Sequence, residues 1–220
     1  MSNMIREIGK VSSLFSQFLS ELRDKEVQRD RMRFRKNMEM VGEIFAYEIS
    51  KEMSYQEKEI ITSLGVATMK IISDKPVLAT ILRAGLPLHQ GLLNYFNTAD
   101  CAFVSAYRKY KKNEKFEIKM DYISSTSLDD RVLIISDPML ATGGSMSTSI
   151  KSLLENGKPK HIHVVCLVAS EEGLSVIKRN FSLQNITIWV GAIDDELTAK
   201  AYIVPGLGDA GDLAFGTKVE

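Results

Sequence analysis

The stretch Arg131–Leu154, RVLIISDPMLATGGSMSTSIKSLL, carries the pattern on which the fold turns. Val132-Leu133-Ile134-Ile135 is a short, β-branched apolar run suited to a buried strand. Asp137 stands just past it, where a parallel strand delivers side chains into a ligand crevice. Ala141-Thr142-Gly143-Gly144-Ser145 follows as a small-residue loop with two hydroxyls, and Met146 to Leu154 reads as the helix it opens. Adjacent glycines let backbone N–H groups converge on one point, and a helix N-terminus adds unpaired N–H groups and partial positive charge. Thr142 and Ser145 supply further donors. These features point to a phosphate. No Lys follows the glycines, so this is not a Walker A loop, and no G-x-G-x-x-G follows the strand. The alternative is an ordinary Gly-Gly turn between a strand and a helix.

Upstream, a second unit repeats the theme. Val77 to Leu82 reads as a strand, and Arg83-Ala84-Gly85-Leu86-Pro87 as a loop that starts a helix through about Tyr95. An Arg beside a Gly at a strand end suits a doubly charged oxyanion such as diphosphate, or caps its own loop. Cys101 to Tyr107 is a third strand, ending in Arg108 and a lysine-rich run, Lys109 to Lys115, that reads as a hairpin arm with Phe116 to Asp121 as its return. Most of those lysines are solvated surface, whereas Arg108 sits nearest the strand end.

Downstream, His161–Ala169 is another buried strand, Glu171 to Phe181 a helix and Ile186 to Val190 a strand. His161 and His163 share one strand face without a third ligand nearby, so they read as histidines at the start of a strand and not as a zinc site. Strands alternating with helices predict an α/β fold, a mostly parallel sheet flanked by helices. The N-terminal part, from about Ser12 to Leu64, reads as helical from the spacing of Phe15, Phe18, Leu19 and Leu22, then Phe34, Met38, Val41, Phe45 and Ile49. The charged patch between these runs reads as a solvated or subunit-facing helix surface. At the other end, Tyr202-Ile203-Val204-Pro205-Gly206-Leu207-Gly208-Asp209-Ala210-Gly211-Asp212 is long and apolar for a plain turn. Its glycines let it bend around a planar ligand and offer backbone donors and acceptors, with Tyr202 placed to stack on it. A rigid glycine loop closing the domain is the competing reading.

Composition bounds the rest. The 220 residues fit a single domain, and 45% hydrophobic content supports a substantial core. Lys+Arg and Asp+Glu are both 28, so global charge gives no support for a nucleic-acid partner. No apolar run approaches the roughly 20 residues needed to span a membrane. The first ten residues lack the form of a signal peptide, and Cys101 and Cys166 stand apart as free thiols, which together predict a cytoplasmic protein.

On these residues the chain resembles the uracil phosphoribosyltransferases of the type I phosphoribosyltransferase fold group. The matching stretches are Ile81-Leu82-Arg83-Ala84-Gly85-Leu86, Tyr107-Arg108, Asp137-Pro138-Met139-Leu140-Ala141-Thr142-Gly143-Gly144-Ser145, Tyr202 through Asp212, and Phe215-Gly216-Thr217. Leu22-Arg23-Asp24-Lys25, Phe34-Arg35 and Ala46-Tyr47-Glu48 add N-terminal matches. The resemblance spans nearly the whole chain, in the family's order.

It implies transfer of 5-phosphoribose from phosphoribosyl diphosphate (PRPP) to N1 of uracil, giving UMP and diphosphate. It implies one domain over 1–220, with N-terminal helices to about 72, a PRPP-binding core over 73–191 and a uracil-binding hood over 192–220. Asp137 through Ser145 would hold PRPP, with Ala141–Ser145 on the 5′-phosphate and Asp137 on ribose hydroxyls. Arg83 and Arg108 would hold diphosphate, and together with Asp209 form the catalytic set. Tyr202, Ile203, Gly208, Asp209 and Ala210 would read uracil. Mg²⁺ would arrive mainly through PRPP, with Asp209 as its one candidate protein contact. The resemblance further implies a cis Arg83–Ala84 peptide and a homodimer or larger homo-oligomer. Asp137 is followed by Pro138 and not by a second acid, as in the uracil subgroup. Pro87-Leu88-His89-Gln90 departs from the family's usual Gly-Met-x-Asp, and Thr198, Ala201 and Leu213 replace commoner Asn, Gly and Arg. A PRPP- or UMP-binding regulator of the same fold, and a phosphoribosyltransferase for another base, are the competing expectations.

Overall fold

The structure, a computed structural model, describes residues 5–110, 116–181 and 185–218, and within 106–110 and 116–121 the backbone alone. The first part of the chain forms β1 (Ile5–Glu7), α1 (Leu14–Arg23), α2 (Arg31–Ser50), β2 (Tyr55–Thr62), β3 (Gly65–Ile72), β4 (Pro76–Leu82), α3 (Leu86–Tyr95), β5 (Asp100–Tyr110) and β6 (Phe116–Ser124). Then come β7 (Val132–Ser136), β8 (Met139–Leu140), α4 (Gly144–Leu153), β9 (His161–Ser170), α5 (Glu171–Asn180), β10 (Ile186–Asp194), β11 (Glu196–Leu197), β12 (Ile203–Val204) and α6 (Ala210–Phe215).

The central sheet runs β1-β10-β9-β7-β4-β5-β6, with β8 alongside β9. Every pairing is parallel except that of β5 with β6. Parallel strands covered on both faces read as unbroken apolar runs, and every residue of β7, like all of β9 after His161, is buried. Alternate side chains go to opposite faces. Leu78 and Ile134 join α1, α2 and α3 in one core, whereas Val77, Ala79, Leu133 and Ile135 join α4 and α5 in the other. The predicted mostly parallel sheet with flanking helices is therefore the architecture observed.

Local chemistry sets the helix ends. Ser13 caps α1 in a capping box with Ser16. Asp30 caps α2, its Oδ1 accepting from the Met32 and Arg33 N–H groups at 3.0 and 3.1 Å. Close contact between α2 and α3 is made at Gly42 and Gly91. A Cβ on Gly91 would strike the Glu39 carbonyl, and one on Gly42 the Leu88 carbonyl.

The N-terminal segment departs from expectation. Helix α2 stops at Ser50, and residues that include the tail of the expected helical span form an antiparallel hairpin, β2 with β3. Every residue of β2 is exposed, and β3 is nearly so. With neither face against a core, burial imposes no alternation for a pattern argument to detect. β1 adds a parallel strand beside β10, also unforeseen. Among the described residues no helix is long and apolar enough to cross a membrane.

Candidate functional site

The five inner parallel strands stand in the order β10-β9-β7-β4-β5. Chain direction across the sheet reverses between β4 and β7, and in open α/β sheets ligands bind outside the carboxyl ends of the strands at such a point. Arg83 follows directly on β4 and Asp137 on β7, so the two loops picked out by pattern leave neighbouring strand ends at that point. Thr80 Oγ1 donates to the Ser136 carbonyl at 3.3 Å, and Ser136 Oγ to the Ala79 carbonyl at 3.2 Å, stitching the strand ends together.

After β7 the chain keeps pairing with β9. The Asp137 N–H donates to the Val165 carbonyl at 3.0 Å, and the Pro138 carbonyl accepts from Leu167 and Val168, both at 3.0 Å. Met139 and Leu140 are thus a short strand and not free loop. Ala141, Thr142, Gly144 and Ser145 are half-buried, and Gly143, at φ +73°, caps α4. A Cβ at Gly143 would lie 2.9 Å from the Gly173 carbonyl and 3.0 Å from Val176 Cβ. Left-handed backbone and crowding together require glycine here. From the other side, Ser170 Oγ donates to the Ala141 carbonyl and accepts from the Gly173 N–H at 2.9 Å. No side chain caps the N-terminus of α4, whose first-turn N–H groups have no partner within the helix, as an anion site requires.

The peptide in the cis form is Leu82–Arg83, one bond earlier than the expected Arg83–Ala84. The Arg83 guanidinium meets Asp212 Oδ1 at 3.0 Å and the Gly216 carbonyl at 3.3 Å. In α3, Pro87 occupies the first turn, where its missing N–H is harmless. His89 faces inward against Phe103, 5.4 Å between ring centroids, and among the described residues neither ring nitrogen has a hydrogen-bond partner. Burial pushes its pKa down to about 4.

The hood is built from long-range ties. Arg23, at the end of α1, meets both oxygens of Asp194 at 2.9 Å and donates to the Gly206 carbonyl at 3.1 Å. Asp194 is only 7% exposed and also accepts from the Gly206 N–H at 2.8 Å. Arg35 donates to the Ala214 carbonyl at 2.7 Å. These contacts hold the loop in which Val204–Pro205 is cis and Gly206 and Gly208 have φ of +56° and +93°. Ile203 and Ala210 are buried, Asp209 is half-buried, and Gly208 and Tyr202 are exposed. Asp209 caps α6, its Oδ1 accepting from the Asp212 N–H at 3.0 Å. A cavity of about 420 Å³ opens beside Gly208, Asp209 and Asp212, with Arg31 and Leu213 also in its lining.

Arg83, Asp209 and the residues of the hood are thus brought together, and the Asp137–Ser145 loop lies on the adjacent strand. The Arg108 backbone pairs with Ile118 in the β5–β6 ladder, so the hairpin reading holds there. The Arg108 side chain and residues 111–115 of the lysine-rich arm lie outside the described residues. His161 and His163 sit at the opposite end of β9, at its first turn of chain. Trp189 Nε1 donates to His163 Nδ1 at 3.0 Å, and His161 pairs with Thr187 at 2.9 Å, so both are structural partners. Burial pushes the His163 pKa down to about 3, helped by its neighbour His161, whose own pKa is lowered by burial.

A profile of the family described as uracil phosphoribosyltransferase matches residues 11–217. A uracil phosphoribosyltransferase of Porphyromonas gingivalis is 54% identical over 212 residues, covering 96% of this chain and 98% of that protein. One of Thermococcus gammatolerans is 39% identical over 212 residues, covering 95% and 92%. The chain belongs to the uracil phosphoribosyltransferase family. A solved structure of an Aquifex aeolicus protein superposes with a TM-score of 0.86 at 30% identity, over 99% of this chain and all of that one. For a uracil phosphoribosyltransferase family member, the mostly parallel sheet with helices on both faces is the type I phosphoribosyltransferase fold. Pattern reasoning gave no role to the residues that tie the hood down, Arg23, Asp194 and Arg35, nor to Asp212, which pairs with Arg83. Arg23 and Asp194 are separated by 171 positions, and no local signal marks such a pair. Asp212 closes the glycine-rich run and belongs to a family-matching stretch, with no role of its own marked by the pattern.

Proposed function

We propose that this protein transfers the 5-phosphoribosyl group of PRPP to N1 of uracil, forming UMP for pyrimidine salvage and releasing diphosphate. One arrangement carries the reading. The ends of β4 and β7 set a guanidinium and an anion-binding loop beside one switch point, and the glycine-rich hood is tied to that same guanidinium.

In this reading the N–H groups and hydroxyls of Ala141–Ser145 take the 5′-phosphate, and Asp137 takes ribose hydroxyls, with Pro138, Met139 and Leu140 holding the loop to β9. Arg83 and Arg108 take the diphosphate. Departure of diphosphate from C1 leaves an oxocarbenium-like sugar and adds charge to the leaving group. The chain's contribution is positioning and charge stabilisation, with no covalent nucleophile. The backbone of Ile203, Gly208, Asp209 and Ala210 reads the edge of uracil, and Tyr202 walls it in. Asp209 is the side chain best placed to receive the N1 proton.

Magnesium enters with PRPP and helps to neutralise the diphosphate. Among the described residues no group of three or more His, Cys, Asp or Glu is placed as a metal cage. Mg²⁺ characteristically keeps its waters and binds through phosphates with one or two carboxylates. Asp209 fits that part, since Asp212 N–H occupies one of its oxygens and leaves the other for the ion or the ribose. We further propose that 1–220 acts as one unit, with 73–191 binding the donor and 192–220 the base, in a cytoplasmic homodimer or larger homo-oligomer.

The test supplies PRPP, Mg²⁺ and each free base in turn, and measures diphosphate release and nucleotide formed. UMP from uracil alone is the expected result. PRPP binding without turnover would instead support a regulator of the same fold, and turnover with a purine would move the base assignment. Arg108→Ala should lower kcat by about 100-fold through loss of charge stabilisation on the leaving group. Unchanged single-turnover rates in that variant would remove Arg108 from the mechanism.

A further inference from the structure

Arg83 is gripped by the hood at both ends of α6. Its Nη2 meets Asp212 Oδ1 at 3.0 Å, in the helix's first turn, and its Nη1 donates to the carbonyl of the C-cap, Gly216, at 3.3 Å. The Asp212 N–H donates to Asp209 Oδ1 at 3.0 Å, so contacts run unbroken from Asp209 through Asp212 and Arg83 to Gly216. Among the described residues no other side-chain hydrogen bond joins the loop after β4 to α6. A guanidinium has five N–H donors in a rigid planar fork. Two are used here, and the remainder share the plane that those two contacts set. The Arg83 side chain is 42% exposed and that of Asp212 27%, so an anion can reach the fork without breaking the pair.

We infer that Asp212 is a positioning residue for Arg83. Its carboxylate sets the plane of the guanidinium so that the unused donors face diphosphate, while the Gly216 carbonyl keeps Arg83 tied to the hood. The inference rests on the reading of Arg83 as a diphosphate ligand. Orienting a rotamer-rich side chain beforehand removes an ordering cost that the ligand would otherwise bear. Once diphosphate is bound it orients the fork itself, so the benefit appears in donor binding and much less in the chemical step. Asp209 caps α6 through the Asp212 backbone and not its side chain, so substitution at Asp212 leaves the cap intact.

The experiment is steady-state kinetics in PRPP and in uracil on full-length Asp212→Ala and Asp212→Asn, with thermal melting of each. Asp212→Ala should raise KM for PRPP about tenfold, while kcat and KM for uracil change less than about threefold and the melting temperature is held. Asp212→Asn, which keeps an acceptor oxygen, should recover part of the loss. An unchanged KM for PRPP would overturn the inference. A lowered KM would overturn it too, by showing that Asp212 competes with diphosphate. Parallel rises in both KM values with a lower melting temperature would reduce Asp212 to a structural role. Calorimetric titration with magnesium diphosphate separates this from the functional reading. Weaker diphosphate binding in Asp212→Ala supports the inference even if the base assay fails, and equal binding sinks it even if UMP is made.

Discussion

The loop over 137–145 and the hood over 203–216 are both glycine-rich, yet they are held by different means. The first is delivered by β7 and opens α4, and the strand next in the sheet holds it, through the β8–β9 pairing and Ser170 on Ala141, 29 positions away. The second is secured from far away, by Arg23 on Asp194 and Gly206, Arg35 on Ala214, and Arg83 on Asp212 and Gly216. A rigid anion site can be made from backbone alone, because the helix start and a glycine nest supply its donors. The glycine-rich hood has no such internal scaffold and borrows side chains from the N-terminal helices, Arg23 of α1 and Arg35 of α2.

The comparison can be broken most forcefully at Arg23. Arg23→Ala leaves the Asp194 carboxylate buried without its cation, and breaking such a pair costs about 3–5 kcal/mol. Chemical denaturation should show the loss, and at temperatures where the variant stays folded KM for uracil should rise more than KM for PRPP. Equal rises would mean that the hood is not separately held. Gly143→Val attacks the other loop. A side chain there meets Gly173 and Val176 at a left-handed φ, and the displaced donors should lower kcat/KM for PRPP by about 100-fold, with calorimetry showing weaker PRPP binding.

Acid tests the fold beneath the loops. His89 and His163 are held neutral in the fold, at about 4 and about 3, and are free to protonate near 6.5 once unfolded. The unfolded chain therefore binds more protons below pH 6.5, and stability falls as pH drops from 6.5 toward 4. Each histidine should remove about 2 kcal/mol by pH 5, read as a falling urea midpoint. The smallest effect is a gain. His89→Leu replaces two unpaired buried nitrogens with an apolar side chain of similar size, and should stabilise by about 1 kcal/mol while flattening part of the acid limb. A destabilised variant would show that His89 has a partner in solution.

These differences also explain what could be read from the chain beforehand. The strand–loop–helix at 132–153 was legible because each of its causes is local: an apolar run, two glycines and a helix start. The Tyr55–Ile72 hairpin was not, because strand patterns are legible through one buried face and this hairpin has none. Leu82–Arg83, not Arg83–Ala84, carries the cis bond, and no residue type marks that choice. The glycine-rich run at 202–212 was visible as a candidate base loop, but its anchors were not. Arg23 lay in a charged patch that read as surface, and its partner Asp194 stood among acids at the end of a strand.

The most direct test is a crystal structure with UMP bound. The 5′-phosphate oxygens should lie about 2.7–3.1 Å from the backbone N–H groups and hydroxyls of residues 142–145, with the uracil edge against the backbone of 203–210. A phosphate lodged instead beside Arg29 and Arg31, or a base turned away from the hood, would contradict the division of labour between the two loops.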